Sequence, residues 1–293
     1  LLQKADTALY AAKEAGRNRF KAFTPDMEQR ANDRDKMEQK FRRALANKDL
    51  SVAYQPIVTI DDGKPIAVEA LARWTDQEYG FVPPPKFIGI AEQTGQIEAL
   101  FSCLLEKACT EAMSWPSHIR LAFNVSPSQF LNPEGLVATV TDVLERTGLQ
   151  PSRLELEITE SVMIQDFQAL RATLQRIQAL GVKIALDDFG SGYCSLSYLH
   201  QIGFNKIKID RSLALAAVAE KTQAIVISMI VRLADALSAQ VVVEGIEDEQ
   251  TALYMRSLGV RTAQGYFYGR PMPAADIAKL LSPPPAQDVS AVA

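Results

Sequence analysis

The chain has 293 residues, a net charge of −4 and a hydrophobic fraction of 47%, which suits one large α/β barrel or two ordinary domains with a sizeable core. The acidic balance argues against DNA or RNA polymer binding, which needs a basic excess. With two histidines (His118, His200) and three irregularly spaced cysteines (Cys103, Cys109, Cys194), histidine-rich metal centres, Ser-His-Asp catalysis and disulfide or thiolate frameworks are poor readings.

Residues 4–20 read as a helix stopped at Gly16 and followed by a basic turn. Residues 26–48 are charged, with sparse apolar positions at Met27, Met37, Phe41 and Leu45, the texture of a solvated connecting helix or of a short coiled-coil seam. From Val52 apolar strands alternate with helical stretches, the signature of an α/β fold with a mostly parallel sheet. Strands are expected near 51–58, 66–71, 119–125, 153–158, 182–187, 205–209, 240–244 and 262–267. Helices are expected near 85–94, 97–115, 134–147, 166–180, 195–201, 212–238, 248–258 and 273–281. Gly148, Gly181 and Gly259 follow helical patterns as C-terminal stops. Asp61-Asp62-Gly63 is a tight-turn signal, so the first two strands should form a hairpin and one barrel strand should run antiparallel. The tail from Ser282 is proline-rich and polar and reads as disordered. No apolar run approaches the ~20 residues that span a bilayer. The expectation is a soluble, cytoplasmic domain. A first residue of Leu1 rather than Met points to a piece of a longer parent, which regions outside this sequence could anchor to a membrane.

Polar residues recur at or near the ends of the short apolar runs: Glu69, Asn124, Glu157, Asp187-Asp188, Lys208, Glu244 and Gln264. In a β/α barrel the C-terminal strand ends converge on one mouth, where active sites are built. Carboxylates, an amide and a lysine gathered there suit a metal-assisted hydrolase. Side chains alternate faces along a strand. Glu69 shares its face with Ala67, Asn124 with Ala122, Asp187 with Ala185 and Glu244 with Val242. Glu157 shares its face with Glu155. Depth separates the two, since Glu155 lies further down and would be a buried structural charge needing a partner.

The motifs YQPI (54–57), EALARW (69–74), NVSPSQF (124–130), ELEITES (155–161), DDFGSGY (187–193), KIKID (206–210), VVVEGIED (241–248) and QGYFYGRPMP (264–273) occur in this order. Together they resemble the EAL-domain phosphodiesterases, bacterial enzymes that linearise cyclic di-GMP. The resemblance covers roughly residues 50–282. Residues 1–23 resemble the final helix and strand of a GGDEF domain without its signature loop. The implied layout is a GGDEF remnant over 1–23, a helical linker over 24–48, a TIM-like (β/α)₈ barrel with one antiparallel strand over 49–282, and a disordered tail over 283–293.

The resemblance implies two Mg²⁺ or Mn²⁺ ions per site, bound by oxygen ligands. It assigns Glu69, Asn124, Glu157 and Asp187 to the first ion, and Asp187, Asp188 and Glu244 to the second. A strand ending at Asp187 would free Asp188 to turn inward. Lys208 would hold the attacking water, with Glu244 beside it. Gln55, Leu71, Arg73, Gln264 and Pro271 would line the substrate site, Arg73 facing a phosphate or base edge. Glu160 would hold the loop Phe189-Gly190-Ser191-Gly192-Tyr193. Cys194 stands where serine is commoner. The implied reaction is hydrolysis of cyclic di-GMP to pGpG, in a homodimer with GGDEF and sensory domains upstream in the parent. The rival is a silent sensor that binds the nucleotide without cutting it, and every expected ligand is present, which favours the enzyme. An aldolase-type barrel using Lys208 as a Schiff base would leave the paired aspartates unexplained.

Overall fold

The computed structural model describes residues 4–5, 8–9, 20–164, 166–190 and 196–282. Most of the helix expected over 4–20, with its stop at Gly16, lies outside the described residues, as do loop positions 191–195 and the tail 283–293. Helix α1 covers Pro25–Ala46. One face of its second half is not solvated. Met37, Phe41 and Ala44 are buried, and the Phe41 ring lies 5.6 Å from Trp74 and 6.2 Å from Phe87. Positions 37, 41 and 44 form a stripe at helical spacing, too narrow to stand out against the charged residues around it. Lys40 anchors the same face by an ion pair of 2.9 Å to Asp76.

Strands β1 (Ser51–Thr59) and β2 (Pro65–Asp76) form the expected hairpin. Gly63 closes its turn with φ +67°, a left-handed conformation open to glycine at no steric cost. A short strand β3 (Gly80–Val82), absent from the sequence-based reading, pairs with the far end of β2. Then come α2 (Pro84–Gln93), α3 (Ile97–Ala112), β4 (Arg120–Asn124), α4 (Pro133–Thr147), β5 (Leu154–Thr159), α5 (Phe167–Ala179) and β6 (Lys183–Phe189). These are followed by α6 (Leu196–Ile202), β7 (Lys206–Ile209), α7 (Arg211–Ala219), α8 (Lys221–Ala236), β8 (Gln240–Val243), α9 (Glu249–Ser257), β9 (Thr262–Gln264) and α10 (Ala274–Leu281). The helix expected over 212–238 is therefore two helices. Glu220 breaks it with extended backbone (φ −129°, ψ 119°), and one extended residue leaves little trace in an apolar pattern.

The sheet order is β1-β9-β8-β7-β6-β5-β4-β2-β3, and the pairing of β1 with β2 closes eight strands into a barrel. β1 runs antiparallel to both β2 and β9, while all other barrel pairs are parallel. The main core lies between the barrel wall and the helices. Inside the barrel, Ile57, Ala67, Ala122 and Val242 form a separate small apolar cluster. Arg120 donates to Gln240 at 3.0 Å near the N-terminal ends of β4 and β8, at the floor.

Candidate active site

Each strand presents its inward residue at the mouth because alternation fixes the face and strand length fixes the height. Register alignment places Gln55 beside Glu69, Asn124 beside Glu157, and Ile57 beside Gln264. At the centre stands Lys208, 1% exposed. Its ammonium lies 2.8 Å from Glu157, 2.7 Å from Glu244, 3.2 Å from Asp187 and 3.6 Å from Glu69. Glu69 accepts hydrogen bonds from the amides of Asn124 (2.7 Å) and Gln264 (2.6 Å). Gln264 also donates to Gln55 at 3.1 Å, and Gln55 donates to the Gly269 carbonyl at 3.0 Å. One connected network thus joins Gln55, Glu69, Asn124, Glu157, Asp187, Lys208, Glu244 and Gln264.

Asp188 reaches this group by a route different from the one expected. Strand β6 does not end at Asp187 but continues to Phe189. Asp188 takes a left-handed conformation (φ +55°), and the register of β6 on β7 slips between Leu186 and Phe189. Such a bulge lets two consecutive residues face the same way. The Asp188 amide donates to Asp187 at 2.9 Å. One carboxylate oxygen each from Asp187, Asp188 and Glu244 lie within 4.8 Å of one another. The short β9 has a local cause too. Gly265 passes so close to Ile246 that a Cβ there would sit 2.0 Å from its carbonyl oxygen, so only glycine lets the chain turn out after Gln264.

Burial and like charges set the electrostatics. Burial pushes the Glu157 carboxyl well above its ordinary range, Lys208 opposing and Glu69 and Asp187 adding to it. Burial pushes Glu244 up to about 7. Asp188 is raised by burial and by Asp187. Glu69 goes the other way: against its burial, the Lys208 charge and the amides of Gln264 and Asn124 hold its carboxyl below the usual range. Burial works against the Lys208 ammonium as well, but Glu157, Glu244, Glu69 and Asp187 hold it charged, well above a free lysine.

The donors fit a hard divalent cation. All are carboxylate or amide oxygens, the set that suits Mg²⁺, Mn²⁺ or Ca²⁺. Oε1 of Glu157 and Oε1 of Gln264 are buried without a hydrogen-bond partner, and orphaned buried acceptors call for an explanation such as an ion.

The remaining expected residues lie at the rim or behind it. Leu71, Arg73 and Pro271 are half-buried, and the Arg73 guanidinium donates to the Ala72 carbonyl at 2.9 Å. Glu160 is buried at the start of a 3₁₀ turn after β5; most of the loop it is expected to hold, from Ser191 on, lies outside the described residues. The partner that Glu155 requires is Lys206, both fully buried. Lys206 was missed in the sequence, although it shares the inward face of Lys208 two residues on.

The sequence pattern described as EAL domain matches residues 38–271. The chain is 37% identical over 278 residues to a bifunctional diguanylate cyclase/cyclic di-GMP phosphodiesterase, MucR, of Pseudomonas aeruginosa, covering 94% of this chain and 40% of that protein. It is 33% identical over 277 residues to the cyclic di-GMP phosphodiesterase PdeR of Escherichia coli, covering 94% and 42%. It is 42% identical over 273 residues to an uncharacterized signaling protein of Caulobacter vibrioides, covering 93% and 34%. The chain thus spans less than half of the length of each. Among solved structures it resembles the PaMucR phosphodiesterase in complex with c-di-GMP, with TM-score 0.77 and 37% identity over 82% of this chain and 98% of that one. The barrel closed by one antiparallel strand, the carboxylates gathered at its mouth and a match over most of its length agree: the chain belongs to the EAL domain family.

Proposed function

We propose that this chain is a metal-dependent phosphodiesterase that hydrolyses cyclic di-GMP to linear pGpG. The observation that carries the reading is the Lys208-centred network, which gathers Glu69, Glu157, Asp187 and Glu244 around one buried ammonium, with Asn124 bonded to Glu69 and Asp188 beside Asp187 and Glu244. We assign Glu69, Asn124, Glu157 and Asp187 to one Mg²⁺ or Mn²⁺, and Asp187, Asp188 and Glu244 to a second. Divalent cations in such a site supply charge neutralisation and make water ionisable near neutral pH. Lys208 orients the attacking water and, with Glu244, holds its proton-accepting surroundings. Attack forms a new P–O bond, the opposite P–O bond breaks, and the leaving ribose oxygen takes a proton. Gln55, Leu71, Arg73, Gln264 and Pro271 line the dinucleotide pocket. Glu160 restrains the loop after Asp188.

The sequence also supports a GGDEF remnant over 1–23, a linker helix over 24–48, the EAL barrel over 49–282 and a tail over 283–293. Upstream GGDEF and sensory domains would belong to the parent chain, and a cytoplasmic site of action follows from the substrate. Among the described residues no helix is long and apolar enough to cross a membrane. Exposed apolar side chains on two consecutive helices, Leu215 and Val218 on α7 and Ile225 and Met229 on α8, support a homodimer.

The test is turnover of cyclic di-GMP by metal-stripped protein, read as pGpG released after adding Mg²⁺ or Mn²⁺. Hydrolysis should appear with either ion and vanish with EDTA. Tight nucleotide binding with no cleavage in both ions would replace the enzyme with a sensor.

A further inference from the structure

Below the mouth, the barrel interior is built in two chemistries. The side formed by β1, β2, β4 and β8 is apolar, filled by Ile57, Ala67, Ala122 and Val242. The side formed by β5 and β7 is ionic, and it is ionic twice. Lys208 pairs with Glu157 at the mouth. One step deeper, Lys206 pairs with Glu155. Strands β5 and β7 are not neighbours. β6 lies between them, and its inward residue at this height is Ala185, aligned with Glu157 on one side and with Lys206 on the other. A methyl group leaves room for both lysines to reach over β6.

The two pairs repeat one diagonal. Lys206 is level with Glu157 through Ala185 yet pairs with Glu155, two residues lower. Lys208, two residues further along β7, likewise pairs with Glu157, two residues further along β5. This offset is what the shear of a closed barrel produces. The deeper pair therefore uses the same stagger that sets the upper one.

A buried ion pair gives little net stability, because desolvating two charges cancels most of their attraction, and apolar replacement is often neutral or better. Stability does not account for this pair where the opposite wall of the same space is filled by aliphatic side chains. What a directional, fully buried contact does provide is a fixed register.

We propose that Glu155 and Lys206 are a positioning pair for the site above them. Their contact locks the height of β5 against β7, and so the spacing of Glu157 and Lys208. Neither residue touches metal or substrate. The inference rests on the metal-site reading above, and metal affinity tests it without relying on turnover.

The decisive variant is the double replacement Glu155→Leu with Lys206→Met, which removes both charges and keeps the volume close. Its melting temperature should stay within about 3 °C of the parent, a change of about 1 kcal/mol for a domain of this size. Its Mn²⁺ affinity, measured by calorimetry without nucleotide, should weaken about 10- to 100-fold, the usual cost of losing a supporting contact behind a metal ligand. With saturating Mg²⁺, kcat should fall by a similar factor while KM for cyclic di-GMP changes little. Lys206→Arg, which keeps a cation opposite Glu155, should recover most of the Mn²⁺ affinity. Parent-like Mn²⁺ affinity in the folded double variant would overturn the proposal. So would a double variant that no longer folds, because the pair would then serve stability. A parent that binds Mn²⁺ but does not cut cyclic di-GMP would sink the phosphodiesterase reading alone, and the affinity comparison would still decide the role of the pair.

Discussion

At the residue scale, the site is a cluster of carboxylates held together by one ammonium. Lys208 faces Glu157, Glu244, Asp187 and Glu69, so without metal it is their common counter-ion. Removing one partner of a buried charge group costs about 3–5 kcal/mol. Lys208→Met should therefore lower the melting temperature of the metal-free protein markedly, and Mn²⁺ should restore more of it than in the parent. A thermal-shift titration that shows equal Mn²⁺ stabilisation in both would contradict this. Glu69→Ala should reduce kcat by at least about 100-fold, since even supporting residues cost up to that in metal sites, while the barrel stays folded by circular dichroism. Glu244, pushed up to about 7 by burial, binds a proton in the folded state that the unfolded chain has already lost. Its contribution to metal-free stability is full below the ordinary carboxylate range and fades as pH rises through about 7. Metal binding must displace that proton, so Mn²⁺ affinity should strengthen from pH 6 to 7.5 with proton release visible in calorimetry. Affinity flat over that range would refute it. Much of this was legible beforehand, because strand-end carboxylates with small residues beneath them declare their face. The Asp188 geometry was not, since a left-handed residue inside a strand leaves no mark in an alternation pattern.

At the scale of elements, α1 changes character along its length. The sparse spacing of Met37 and Phe41 made it look solvated, yet it closes the outer side of β2 through Trp74 and Phe87. Removing residues 1–24 should leave the melting temperature of the chain unchanged. Phe41→Ala should cost about 3–5 kcal/mol, as buried aromatic truncations do, measured by urea unfolding. A loss under about 1 kcal/mol would show that the helix adds little to the barrel. Helix and strand order was readable throughout from apolar periodicity and glycine stops, as at Gly148, whose amide closes α4 on the Leu144 carbonyl. Strand β3 was unreadable because it is only three residues long, and the break at Glu220 because a single extended residue barely disturbs an apolar pattern.

At the scale of the molecule, the exposed apolar side chains of Leu215 and Val218 on α7 and of Ile225 and Met229 on α8 predict self-association. Ile225→Asp with Met229→Lys should shift the solution mass toward that of one chain in light scattering; an unchanged mass would exclude this face as the contact. The direction of β1 has a different kind of consequence. In a barrel of parallel strands the chain enters at the floor, the end remote from the mouth. Here Ser51 lies opposite Arg73, so the chain threads in at the catalytic rim and runs down to Thr59. Helix α1 is thus the doorpost of the active site rather than its foundation. Any load transmitted along α1 arrives within a few residues of Gln55 and Glu69, without having to cross the barrel.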